Sequence, residues 1–92
     1  MLTESFIIKN KVGLHARPAS VLVQTANKFK SDIKIEKDGR IVSAKSILGV
    51  LSLGAEKGST IIVTVEGIDE EEALKTIEDL VNNNFGDPEW KY

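Results

Sequence analysis

The sequence predicts an α+β open-faced sandwich, in which four mainly antiparallel strands are covered on one face by three helices. Two observations carry that expectation. Short segments that alternate apolar and polar residues are interleaved with segments whose apolar residues recur every three or four positions. The order is strand, helix, strand, strand, helix, strand, helix. Each strand has one clear apolar face and each helix one apolar stripe, so a single helix layer on a single sheet face buries them all. The 92 residues suffice for one such domain.

Leu2 to Lys9 reads as the first strand, with Phe6 and Ile8 on one face, and ends at the turn-forming run Asn10 to Gly13. From Pro18 to Phe29, the residues Ala19, Leu22, Val23, Ala26 and Phe29 share one helical face. Proline in the first turn is acceptable, because the early amides of a helix have no intrahelical partner. Asp32 to Lys37 alternates around Ile33 and Ile35, and Asp38-Gly39 is a strong hairpin signal leading into Arg40 to Ala44. Ser46 before and Gly54 after bound a short helix over Ile47 to Leu53. Thr60 to Glu66 is the most strand-like run, with Ile61, Val63 and Val65 alternating. Asp69 with Glu72 predicts a capping box for a last helix whose stripe is Leu74, Ile77, Leu80 and Val81, running to about Asn83. The domain is expected to span residues 1–84. Residues 85–92 are left as a tail, in which Trp90 and Tyr92 either dock or fray.

Composition excludes several chemistries. The chain has no cysteine and one histidine, so it has no disulfide, no thiol redox site and no zinc site of thiolate or multi-histidine type. A formal charge of -2 argues against direct nucleic-acid binding. The start, MLTESFIIKN, lacks a secretory signal pattern, and no apolar run approaches the roughly 18 residues of a membrane span, so a cytoplasmic protein without membrane insertion is expected.

The single histidine, His15, stands just before the first helix, in VGLHARPAS. Serine or aspartate would cap better, so helix stability does not explain a histidine there. The free amides of Ala16 and Arg17 and the positive end of the helix dipole face the ring, which favours a neutral, nucleophilic imidazole. The same field welcomes an anion attached to that ring, and Arg17 adds a planar cation able to hold phosphate oxygens. The constellation suits a phosphoryl acceptor, although these residues taken alone also fit an ordinary polar loop. No GxSxG-type elbow or glycine-lysine loop points to a hydrolase or a nucleotide-binding kinase.

VGLHARPAS followed by KSILGVLSLGAEKG resembles the histidine-containing phosphocarrier proteins, HPr, of the bacterial phosphoenolpyruvate-dependent sugar phosphotransferase system, in their Gram-positive form. The likeness runs from about Ser5 to Asn83 and implies the same open-faced sandwich. It implies that the chain is a phosphoryl carrier rather than an enzyme and works as a monomer without a cofactor. His15 would take a phosphoryl group on Nδ1 from phosphorylated enzyme I, with Arg17 attending it, and pass it to IIA components of sugar permeases. Ser46, bottom-up only an N-cap, would be the target of an HPr kinase/phosphorylase. Its phosphorylated form would favour a catabolite control protein.

Five of the seven residues from Ile47 to Leu53 are apolar, too many for a two-turn helix with one buried face unless the rest is covered or adhesive. The resemblance implies that Ile47, Leu48 and Leu51 form an exposed docking patch beside His15, with Val50 and Leu53 turned inward. Val21, off the stripe of the first helix, would extend it. Three rivals are a regulatory relative without carrier function, a small enzyme with His15 as general base, and a ferredoxin-like binding module. The first would replace the histidine, the second finds no partner carboxylate placed by motif, and the third lacks an aromatic RNA-binding strand.

Overall fold

The computed structural model describes residues 1–86, so Trp90 and Tyr92 lie outside the described residues. The element order is β1 (Leu2–Ile7), α1 (Ala16–Ala26), β2 (Asp32–Lys37), β3 (Arg40–Ser43), α2 (Ile47–Ser52), β4 (Thr60–Glu66) and α3 (Glu70–Asn82), followed by a short 3-10 turn over Asn84–Gly86. The sheet order is β1-β4-β2-β3, and every neighbouring pair is antiparallel. The expected fold class and element order are therefore those observed, with "mainly" antiparallel sharpened to wholly antiparallel. Among the described residues no helix is long and apolar enough to cross a membrane.

Register explains which face is covered. Ile61, Val63 and Val65 of β4 stand opposite Phe6, Glu4 and Leu2 on one side and, for Val63 and Val65, Ile35 and Ile33 on the other. The three β4 residues and both β2 isoleucines are buried, because this is the face the helices cover. Leu22 and Ala26 from α1, Val50 from α2 and Ile77 and Val81 from α3 complete the core. The β2–β3 hairpin turns at Asp38 and Gly39, both with positive φ (51° and 83°), which is the turn a two-residue hairpin of right-twisted strands requires.

Several boundaries differ from the sequence reading, each for a local reason. β1 stops at Ile7 because Ile8 leaves the strand to bond the loop before β4, donating to Ser59 (2.9 Å) and accepting from Gly58 (2.8 Å). The helix α1 starts two residues earlier, at Ala16, and stops at Ala26, where Asn27 caps it; Phe29 still packs on the core from the following turn. Phe85, assigned to the tail by its lack of periodicity, is 1% exposed and packs as a core residue in the closing turn.

The expected capping box at α3 does not form. Asp69 occupies the N-cap position but makes no side-chain cap. Its carboxylate instead accepts the amides of Lys30 and Ser31 (2.9 Å each) and the Ser31 hydroxyl, tying the turn before β2 to the start of α3. Three donors from a distant turn offer more than the one amide a cap would reach. The start of α3 is served by Glu70, whose carboxylate accepts the Gly67 amide at 3.0 Å and the terminal amine of Met1 at 3.1 Å.

The Ser31 hydroxyl, then the Lys30 and Ser31 amides, hold the Asp69 carboxyl below its ordinary range. A carboxyl depressed in the folded state stabilises the fold above its unfolded pKa of about 3.9, and that stabilisation is lost as pH falls toward the folded value. Denaturation midpoints measured across pH are therefore expected to drop below about pH 4 in the native sequence. Asp69→Asn should be less stable at neutral pH and show a shallower acid limb. Parallel acid limbs would remove Asp69 from the account.

Candidate functional site

His15 is the N-cap residue of α1, with extended backbone angles (φ -81°, ψ -171°), and its carbonyl accepts the Ala19 amide at 3.0 Å. Its side chain makes no capping hydrogen bond and is half-buried. Ala16 and Arg17, the first two helical residues, are exposed, and the third is Pro18, which has no amide hydrogen. The helix start thus offers the Ala16 and Arg17 amides toward solvent beside the imidazole, with the Arg17 guanidinium on the same first turn.

What puts the histidine there is a stitch between two loops. Asn10, buried, donates from Nδ2 to the Gly13 carbonyl at 2.6 Å and accepts the Gly13 amide at 3.1 Å, closing the turn after β1. Leu14 then donates to the carbonyl of Ala55 at 2.9 Å, which anchors the residue before His15 to the loop that follows α2. Gly13 has φ +77°, and a Cβ there would strike the Ala55 carbonyl and lie 2.7 Å from the Glu56 Cα. Only glycine permits that approach. Leu14 is itself buried, so the residue that anchors the loop also belongs to the core.

That stitch brings the start of α1 to the end of α2, and the two helices contact each other. Ser46 caps α2, accepting the Gly49 amide on its Oγ at 3.0 Å, as the serine position predicts. Ser46 itself is exposed. The apolar excess of α2 divides as expected: Val50 and Leu53 are buried, whereas Leu48 is 78% exposed and Ile47 and Leu51 are 38% and 37% exposed. Val21 on α1 is half-buried.

Lys45, next to Ser46, donates from Nζ to the Phe29 carbonyl at 2.7 Å, while Asn27 reaches the Lys45 carbonyl at 3.3 Å. The far end of α1 is thereby tied to the start of α2. Among the described residues no group of three or more His, Cys, Asp or Glu side chains is placed to hold a metal ion. Sequence reading missed the Asn10–Gly13–Ala55 stitch. Its only local signal was a glycine two residues before the histidine, and its partner lies more than forty residues away.

Residues 2–83 match the family model described as the PTS HPr component phosphorylation site. The chain belongs to the HPr family. The phosphocarrier protein HPr of Neisseria meningitidis is 44% identical over 97% of this chain and 100% of that relative. Among solved structures, HPr-C-His from Thermoanaerobacter tengcongensis is 51% identical, covers 96% of this chain and 99% of its own, and superposes with a TM-score of 0.92. An HPr dimer from the same organism is 52% identical, with coverage of 95% and 100% and a TM-score of 0.76. The family's place is the phosphotransferase system, and the open-faced sandwich read from the apolar patterning of the sequence is its fold.

Gly13→Ala should cost about 1 to 3 kcal/mol, because it combines a left-handed backbone with a backbone collision. Urea unfolding at neutral pH measures it. Gly54→Ala, where φ is also positive but no atom lies within 4 Å of a Cβ, is the control and should lose less. Equal losses would show that backbone conformation alone, not the approach to Ala55, governs the loop.

Proposed function

We propose that the chain accepts a phosphoryl group on His15 from phosphorylated enzyme I and hands it to sugar-specific IIA components, as a monomer in the cytoplasm. The observation that supports this most is a histidine at a helix N-cap: its side chain does not cap the helix, and the Ala16 and Arg17 amides and the Arg17 guanidinium belong to the same first turn. A ring nitrogen bonds to phosphorus as the bond from phosphorus to the donor breaks, and that nitrogen–phosphorus bond breaks in turn as the acceptor's attacking atom bonds to phosphorus. The protein's contribution is to position the ring and to balance the added charge.

The magnitudes suit a group that must leave again. A helix terminus contributes about 0.3 to 1 kcal/mol to an exposed charge, and a hydrogen bond to an ionised group about 1.5 to 3 kcal/mol. Arg17 is exposed, so its attraction is screened by solvent and falls toward the weak end. The phosphoryl group is steadied without being trapped.

Ser46 is proposed as a regulatory phosphorylation site for an HPr kinase/phosphorylase. It is exposed and stands at the start of α2, where negative charge is tolerated by the unbonded amides. The apolar residues Ile47, Leu48 and Leu51 beside it, with Val21, are proposed as the docking face for enzyme I, IIA and the catabolite control protein. A dianion at the edge of that face raises the desolvation cost of docking, so phosphorylation would weaken the approach of enzyme I.

Incubation with phosphoenolpyruvate, magnesium and enzyme I should yield an acid-labile, base-stable phosphate that is absent from His15→Ala. No label on the intact chain would sink the carrier role. In the same assay Ser46→Asp should accept phosphate more slowly than the unsubstituted chain. Equal rates would separate Ser46 from the docking face.

A further inference from the structure

The peptide unit between Gly13 and Leu14 is held from both sides. Its carbonyl accepts Nδ2 of Asn10 at 2.6 Å, and its amide donates to the Ala55 carbonyl at 2.9 Å. In a trans peptide the carbonyl and the amide point in opposite directions, so the two bonds together fix the rotation of that plane. A restraint is needed there. Rotation about the Gly13 Cα–C bond carries the plane and the chain after it, and glycine, with no Cβ, restricts that rotation least of all residues. The residue that lets the two loops meet therefore also leaves the following peptide soft.

Asn10 is built to supply the restraint. Its side chain is fully buried, and its own carbonyl accepts the Gly13 amide at 3.1 Å, so the side-chain amide is presented from a fixed base. The group facing the Gly13 carbonyl is the amide nitrogen, since an oxygen turned that way would meet a second acceptor. Gly13 is buried as well, so without this donor its carbonyl would lose a hydrogen bond that water cannot readily replace.

We propose that Asn10 is a positioning residue for phosphoryl transfer at His15: its side-chain amide latches the Gly13–Leu14 peptide and so fixes the direction in which the chain enters α1. The inference rests on the carrier reading above. His15 follows Leu14 directly, and the Ala16 and Arg17 amides follow His15, so rotation at Gly13 displaces the ring together with the amides that would meet the phosphoryl group. The residues proposed for docking on α2 belong to another element and stay in place. The latch therefore bears on the transfer step rather than on partner affinity.

Two variants test it. Asn10→Leu keeps the branched shape of asparagine and removes the donor, whereas Asn10→Ala removes both. In each, amide hydrogen exchange followed by NMR should be about tenfold faster at Leu14. Ile8, which joins the same two loops through the Ser59 carbonyl at 2.9 Å, should change by less than about threefold. Transfer from phosphorylated enzyme I should show kcat lowered about three- to tenfold, with KM held within about twofold. Unchanged exchange at Leu14 in Asn10→Leu would overturn the latch. Faster exchange at Leu14 with kcat unchanged would make Asn10 a stabiliser of the loop and overturn its positioning role. Equal acceleration at Leu14 and Ile8, or a raised KM with kcat retained, would overturn that role too, as general loosening or a docking effect. Should Asn10→Ala fail to fold, Asn10→Leu decides alone. An unsubstituted chain that takes no phosphate would defeat the carrier reading and the kinetic half of the proposal, while exchange at Leu14 would still decide the latch.

Discussion

The close approach of Gly13 to the Ala55 backbone is the constraint on which the site depends. The turn after β1 could leave the sheet in many directions, and a single backbone hydrogen bond from Leu14 to Ala55 selects one. A side chain at position 13 would push the two loops apart. With the loops joined, α1 begins beside the loop that follows α2, the half-buried His15 stands at that N-cap, and the two helices pack against each other. The sheet and core provide the platform, but this contact aims it.

The two helices that carry the site are tied at both ends of their contact. Leu14 holds the start of α1 to the loop after α2, and Lys45 and Asn27 hold the far end of α1 to the residue before α2. The relative placement of His15, Ser46 and the apolar residues of α2 is therefore a property of the fold rather than of a mobile loop. A carrier that meets several partners with one surface gains from such rigidity, because no ordering entropy is spent at each encounter. The negative charge proposed at Ser46 would then act through electrostatics and desolvation at the shared face, without any change of fold.

Much of this was legible in the residues. The β2–β3 hairpin was announced by Asp38-Gly39, α2 by serine before and glycine after, and the buried face of β4 by strict alternation, since each signal is local and repeats with a short period. The division of α2 into buried Val50 and Leu53 and exposed Ile47, Leu48 and Leu51 came from family likeness; periodicity alone left a wholly buried helix open. Illegible features were those whose partners lie far along the chain. Asp69 looks like a helix cap until Ser31 and Lys30 arrive beside it, Phe85 has no periodic neighbours to mark it as core, and Gly13 says nothing of Ala55. The histidine itself was found because it is a poor cap in a capping place.

The central claim is that the start of α1 holds the phosphoryl group through its own amides, with the group on His15. Nitrogen and phosphorus NMR of the chain phosphorylated by enzyme I and phosphoenolpyruvate tests it most directly. The account predicts a phosphorus signal coupled to the His15 ring and the largest amide shifts at Ala16 and Arg17, with the Ser46–Gly49 cap unmoved. A phosphorus signal on another residue, or Ala16 and Arg17 amides that do not respond, would contradict it.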